Sequence, residues 1–318
     1  LVFWQYCRAR AQTGQGNAMS HYHPQETRDL DRRLWASAAL NLSITLIEFV
    51  GGLWAGSLAL LADAAHNLAD VGALGLAIFA RKLGRRAPTT RHTYGLKRAE
   101  VLAALVNAAA LIAISALIAR EAMGRLWNPA PVHASVMLIA AMAALLANVA
   151  SVLLLHTYSR KDINVRSAFL HLAQDALASA AVVVAALFVQ TRVGRYVDPV
   201  AAMLISVVVL RSALSIVWES LHTLLEAVPA GVDVERIAQD VAYRFAGVQL
   251  HHIHVWEVGP GQRVITAHMR LGVASVVEAE AVAAQVRQFL HEKWGITHAT
   301  LEAEANGCGR EGLLGEWD

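Results

Sequence analysis

The chain has 318 residues, is 56% hydrophobic and only 16% charged, and carries a formal net charge of +2. Soluble domains are charged at roughly 25% of positions, so this composition, with a mean hydropathy of +0.42, excludes an ordinary soluble protein and points to a membrane-embedded one. The near-neutral balance implies no nucleic-acid partner, and two cysteines, Cys7 and Cys308, are too few for a disulfide framework.

The first methionine is Met19, and the segment before it, LVFWQYCRARAQTGQGNA, lacks the charged start, continuous apolar core and small-residue cleavage site of a signal peptide. Residues 1–33 are expected to form a disordered extension outside the fold, in keeping with translation starting at Met19. A bilayer core of about 30 Å takes about 20 apolar residues per helix. Blocks at 34–54, 57–80, 99–120, 133–156, 168–190 and 199–219 meet that length, with Pro129, Pro131 and Pro199 only at their edges. They predict a six-helix transmembrane domain over 34–220 whose solvent is the lipid bilayer.

The connections set the orientation. Arg81, Lys82, Arg85, Arg86, Arg91, Lys97 and Arg98 follow the second block, and Arg160, Lys161 and Arg166 follow the fourth. The opposite connections are poorer, with Arg120 and Arg125 in one and Arg192 and Arg195 in another. Basic loops stay in the cytoplasm, and an even number of spans then places both termini there. The remainder, 228–305 with a tail at 306–318, reads as a small cytoplasmic α+β domain. A helix near Val234–Phe245 precedes strands at Leu250–Val258 and Arg263–Leu271 joined through Gly259-Pro260-Gly261, then a helix at Val277–Lys293 and a strand at Thr297–Ala303. That order suits a small antiparallel or mixed sheet covered on one face. The fold class is therefore an α-helical membrane protein of six transmembrane helices followed by this domain.

Ionisable side chains at the bilayer centre cost about 2.5–3.5 kcal/mol each on insertion scales, so their presence asks for a reason. The second block holds Asp63, His66 and Asp70 in LLADAAHNLADV, a spacing of i, i+3 and i+7 that puts all three on one helical face. The fifth holds His171 and Asp175 in FLHLAQDALAS, again i and i+4. One such pair is readily a buried hydrogen bond; two at similar depth offer a set of two imidazoles and two carboxylates. Four N/O donors from facing helices make a tetrahedral shell of the kind Zn²⁺ takes. Imidazole favours zinc, cobalt, nickel or copper over the all-oxygen ions. Histidine, with an ordinary pKa of about 6.5, also exchanges metal for proton near physiological pH, which makes protons the expected counter-cargo.

These residues resemble the cation diffusion facilitator family, in particular its zinc/cobalt/cadmium-resistance branch. GSLALLADAAHNLADV (Gly56–Val71), HTYGLKRAEVLAALVNA (His92–Ala108), FLHLAQDALAS, LLEAVP (Leu224–Pro229), HHIHVWEV (His251–Val258) and ITHATLEAE (Ile296–Glu304) occur in the family's order. The resemblance implies a homodimeric exporter of divalent metal ions by proton antiport, with a metallochaperone-like, ferredoxin-like cytoplasmic domain. It maps the transport ligands onto His66, Asp70, His171 and Asp175 and implies Zn²⁺ as cargo, with Cd²⁺ or Co²⁺ beside it. Asp63 matches an acidic position next to that site, as a supporting or proton-path group or a purely structural one. Lys97 and Glu226 match a charge pair made across the dimer, against the plainer reading of a basic-loop lysine and a helix-end glutamate.

The resemblance places a regulatory Zn²⁺ site at His251, His268, His298, Glu302 and Glu304. Regular strand alternation puts His252 and His254 on one face and His251 on the other, so these three are not expected to share an ion. His92 stands alone where some relatives have an extra loop site, with Thr89 and Leu96 in place of ligands, so that site is expected to be absent. An intramembrane metalloprotease would need His-Glu-x-x-His, and His291-Glu292-Lys293-Trp294-Gly295 lacks the second histidine. A membrane-anchored metal sensor would not need four costly ligands in its spans. Within the transporter class, iron, nickel or manganese is the alternative cargo. The Ala/Arg-rich composition suits a bacterial inner membrane.

Overall fold

The computed structural model describes residues 24–159, 163–191, 194–272, 275–305 and 312–314. The expected extension up to residue 23, the loop residues Arg160 and Lys161, Arg192, and Cys308 lie outside them. Six helices occupy the six apolar blocks: α1 (Pro24–Ala55), α2 (Leu58–Gly84), α3 (Ala99–Trp127), α4 (Ala134–Ser159), α5 (Ile163–Phe188) and α6 (Gly194–Leu224). Helix α1 starts before its apolar block, so residues 24–33, assigned above to a disordered extension, are helical.

Length and apolarity alone qualify α3, α6 and the stretches Ala134–His156 and Phe169–Phe188 as membrane-crossing, and α1 has a shorter apolar stretch at Ala39–Ala55 among its described residues. Helix α2 is long enough, but Asp63, His66, Asn67 and Asp70 dilute its apolar run. Leu46, Val50, Leu53, Ile78, Leu117, Ile139, Leu146, Leu153, Leu177, Leu204 and Val208 are exposed, and a surface of that kind belongs in lipid.

The described residues divide into two compact units, one drawn from 24–79 and 103–218 and the other from 80–102 and 219–314. In the first, the interior is built from small side chains. Ala55, Ala59, Ala122, Ala140, Ala141, Ala185, Ala186 and Ala202 are buried together with Leu58, Leu60, Met137 and Val182. A Cβ on Gly51 would fall 2.6 Å from that of Ala140, so glycine is what lets α1 and α4 approach. Without a hydrophobic drive between helices in lipid, such close backbone contact supplies the packing.

One end of this bundle is tied by hydrogen bonds. The buried Asp198 of α6 accepts from Ser57 Oγ (2.5 Å), Leu58 N (2.8 Å) and Ala59 N (3.2 Å), while Ser57 Oγ accepts from Leu60 N at 3.2 Å. The first free N–H groups of α2 are thereby satisfied by a residue from another helix, in a place where water is scarce. Arg125 Nη1 donates to Gly56 O at 2.5 Å and His133 N to Ala55 O at 2.9 Å, so the α1–α2 turn is held from α3 and from just before α4.

In the second unit, α7 (Val234–Arg244), β1 (Val248–Gly259), β2 (Gln262–Leu271), α8 (Val276–Trp294) and β3 (Ile296–Glu304) follow in order. The sheet runs β1-β2-β3, with β1 antiparallel and β3 parallel to β2, and α8 is the crossover between β2 and β3. Asp233 and Ser275 cap α7 and α8 through their side chains, and Gly295 ends α8 at φ 65°. Ile237 and Val241 of α7 and Ala283, Val286 and Leu290 of α8 cover one face of the sheet. Of the antiparallel and mixed sheets the order of elements allows, the mixed one, covered on one face, is what forms.

The inward residues of β1 change parity along the strand. Val248 and Leu250 point into the core, and then Ile253 and Val255 do. The register explains this: His251 pairs with His268 but His254 pairs with Thr266, a β-bulge that leaves two β1 residues opposite one of β2. His252 takes φ 48° within it. The alternation expected above, with His251 and His252 on opposite faces, therefore fails, and both turn to the sheet's uncovered side.

Replacing Asp198 by alanine strands the Ser57 hydroxyl and two helix N–H groups. At roughly 1–3 kcal/mol for each group left buried and unpaired, we expect a loss of at least about 3 kcal/mol, read as a lower thermal unfolding midpoint of the detergent-solubilised protein, with a smaller drop for Ser57→Ala.

Candidate metal centres

The α2 and α5 residues singled out above converge. Asp70 Oδ2 lies 3.2 Å from His171 Nε2 and 3.7 Å from His66 Nε2, and His171 Nε2 lies 3.7 Å from Asp175 Oδ2. The two imidazoles meet edge to face with centroids 6.3 Å apart. A tetrahedral shell with metal–donor bonds of about 2.0–2.2 Å has edges of roughly 3.4 Å, and these three contacts bracket that length. Asp70 links the two His-x-x-x-Asp pairs, so one four-residue cluster replaces two separate hydrogen bonds. Asp175 is almost fully buried at 2% exposure, whereas His66, Asp70 and His171 keep about a fifth to a quarter of theirs. Exposure is thus kept at His66, Asp70 and His171 and lost at Asp175.

A polar layer lies against it. Asp63 is buried and accepts from Ser179 Oγ at 3.3 Å, and Ser179 in turn accepts from Asn148 Nδ2 at 3.0 Å. Asn67 Nδ2 donates to Glu48 Oε2 at 2.9 Å, and the Glu48 side chain, fully buried, lies beside that of Asp63. Sequence reasoning singled out Asp63 but missed Glu48, Asn67, Asn148 and Ser179. Glu48 carried the same signal, an acid inside an apolar block. Its relation to α2 depends on how α1 packs there.

In the second unit, His268 Nδ1 lies 2.6 Å from Glu304 Oε1 and His251 Nε2 lies 3.1 Å from Glu304 Oε2. Among the described residues, His251, His268 and Glu304 are the group whose three ligand atoms fall within 4.8 Å of one another. Two imidazoles and a carboxylate are donors that suit a zinc-like ion. Glu302 is largely exposed, 3.6 Å from His268 Nε2. His298 is not brought in: it pairs with Val264, four residues along β3 from the Glu302–His268 pair, or roughly 13 Å at the rise of a strand. Glu226 makes its contact within the chain with Arg98, Nη2 to Oε1 at 2.6 Å, rather than with the neighbouring Lys97. Lys97 instead abuts Gly259 of the β1–β2 turn, where an added Cβ would come 3.1 Å from Lys97 Cβ and O.

Apolar helices enclosing a cluster of metal-binding donors, followed by a small domain with a second such cluster, define a metal-handling integral membrane protein. The cation efflux transmembrane domain matches residues 34–225, and the cytoplasmic domain of cation efflux proteins matches residues 229–306. The chain belongs to the cation efflux, or cation diffusion facilitator, family. It is 39% identical over 297 residues to the zinc transporter ZitB of Escherichia coli K12, covering 91% of this chain and 94% of that one. The same identity extends over 292 residues to ZitB of Pectobacterium atrosepticum, 91% of this chain and 90% of that one. The cadmium, cobalt and zinc/H(+)-K(+) antiporter of Bacillus subtilis is 33% identical over 272 residues, 85% of this chain and 87% of that one.

Removing the Glu48 carboxyl orphans the Asn67 amide in a dry interior. Glu48→Ala is expected to destabilise the protein by roughly 1–3 kcal/mol and to weaken metal binding at the α2–α5 cluster by about tenfold, the lower end of the range for groups that orient ligands. Thermal unfolding and metal titration of the solubilised protein check both.

Proposed function

We propose that this chain exports Zn²⁺ from the cytoplasm, holding the ion at His66, Asp70, His171 and Asp175 and exchanging it for protons. The observation that carries the reading is the Asp70 carboxylate placed between His66 and His171, with Asp175 completing the set at near-tetrahedral edge lengths. The four are imidazoles and carboxylates, donors that hold zinc less tightly than thiolates and so suit an ion that must leave again. Two imidazoles that bind either a metal or a proton couple the two flows directly, since each proton taken up weakens the site for its cargo. Alternating access then requires α2 and α5 to tilt together, presenting the same four groups first to one side and then to the other.

The name of the Bacillus subtilis relative favours Cd²⁺ and Co²⁺ as further cargo, and neither ion is at odds with an imidazole–carboxylate shell. The basic loops favour an inner-membrane orientation with both termini in the cytoplasm, and the bacterial relatives favour that membrane. The match to the family's cytoplasmic domain supports a homodimer. In this reading His251, His268 and Glu304 bind Zn²⁺ as a sensor, biasing the transmembrane equilibrium by their different affinities for its two states.

Zinc flux into proteoliposomes tests the central claim. Asp70→Ala and Asp175→Ala are each expected to lower it by more than about 100-fold, beyond the 10–100-fold typical of a group that only supports a ligand. Parent flux should rise with an imposed pH gradient of the driving sign. Full transport by either variant, or flux indifferent to the gradient, overturns the reading.

A further inference from the structure

The bulge in β1 brings a third imidazole to the cytoplasmic cluster. His252 has its ring centroid 4.8 Å from that of His268 and 5.6 Å from that of His251, and the His251–His268 separation is 5.4 Å. Around a tetrahedral ion with bonds of about 2.0–2.1 Å to nitrogen, and with each ring centre about 1.1 Å beyond its nitrogen, neighbouring rings sit roughly 5.2 Å apart. All three distances bracket that value. The His66–His171 pair in the membrane, at 6.3 Å, is wider.

We propose that His252 is the fourth ligand of the cytoplasmic metal site, which binds its ion through His251, His252, His268 and Glu304. The inference rests on the reading of the His251–His268–Glu304 cluster as a metal site and goes beyond it by assigning the residue that closes the shell. The three ligand atoms within 4.8 Å of one another leave a zinc-like ion one donor short. Two further side chains lie beside this group: Glu302, and His252, which stands outside the 4.8 Å set but has its ring against both imidazoles. Glu302 is 70% exposed and reaches His268 only on Nε2, at 3.6 Å, while the Glu304 oxygen faces His268 Nδ1. An ion beside Glu304 uses Nδ1, which leaves Glu302 on the far side of the ring. Among the described residues, His252 is then the side chain whose ring lies beside both His251 and His268.

The backbone is built to present it. A regular strand would carry His252 into the core; the extra residue and the left-handed φ of 48° turn it outward beside His251. A non-glycine residue in that region costs of order 1–3 kcal/mol and persists only where its surroundings hold it. Here His252 N and Ile253 N donate to Gly312 O and Leu313 O, at 3.4 and 2.9 Å, so residues 312–313 cover the edge of β1 at the bulge. With four protein ligands the shell has no open position, the form of a site that retains its ion rather than one that works on a substrate.

The test uses the full-length solubilised protein with the membrane ligands removed (Asp70→Ala, Asp175→Ala) and the native cysteines replaced (Cys7→Ser, Cys308→Ser), with Co²⁺ as the probe. His252→Cys should give a thiolate-to-cobalt charge-transfer band, as should Glu304→Cys, whereas His298→Cys should not. A band with Glu304→Cys but none with His252→Cys overturns the proposal and leaves the metal site standing. No cobalt spectrum in any variant or in the unsubstituted background overturns the metal site and the proposal with it. His252→Asn keeps a residue that tolerates a positive φ and should weaken Co²⁺ binding more than tenfold; unchanged affinity also overturns the assignment.

Discussion

Everything in the membrane half depends on one constraint: ionisable groups placed at bilayer depth must find partners inside the protein. Each costs a few kcal/mol to insert, and α2 alone carries Asp63, His66 and Asp70. They are accommodated because α5 brings His171 and Asp175 opposite them, and because Glu48, Asn148 and Ser179 form a second polar layer with Asn67. The small-residue interfaces follow from the same requirement. Only closely packed backbones, as where Gly51 meets Ala140, bring side chains from different helices near enough to share these contacts.

The end of α2 is handled in a similar way. Its free N–H groups lie where water cannot satisfy them, and Asp198 from α6 does so instead, with Ser57. The helix that bears the metal-binding donors is thus anchored at its first turn by a buried acid. In the proposed transport cycle, tilting of α2 has to pivot about or break that anchor. Orphaning those groups costs about 1–3 kcal/mol for each, so a pivot that keeps the anchor is favoured over one that breaks it.

The cytoplasmic unit solves a different problem. Water is available there, so polar side chains need no internal partner, yet His251, His252, His268 and Glu304 gather on one side of the sheet. The sheet provides this because, among the described residues, its helices pack on the other face, and because a bulge breaks strict alternation. The Arg98–Glu226 pair is half exposed and accordingly weak in isolation. It nevertheless joins the start of α3 to the segment after α6 within the same unit.

The six blocks, the αββαβ order of the tail and the two His-x-x-x-Asp pairs were all legible in the chain. Apolar length and helical or strand periodicity are local properties, and the cost of a buried charge can be read one residue at a time. Glu48 was overlooked although it gave the same signal. What is not local could not be read. Only the packing of α1 and α5 against α2 sets Glu48 beside Asp63 and makes Asp70 common to both histidines. Only the strand register sets Glu302 opposite His268 and His298 opposite Val264, and only the approach of the segment after α6 to the start of α3 makes Arg98, and not Lys97, the partner of Glu226 within the chain. Alternation also mispredicted His252, because a bulge is decided by pairing between strands and not by the strand's own sequence. Which residues are costly enough to need a purpose is written in the chain alone; which of them meet is set only in the folded molecule, by contacts between elements far apart in the chain.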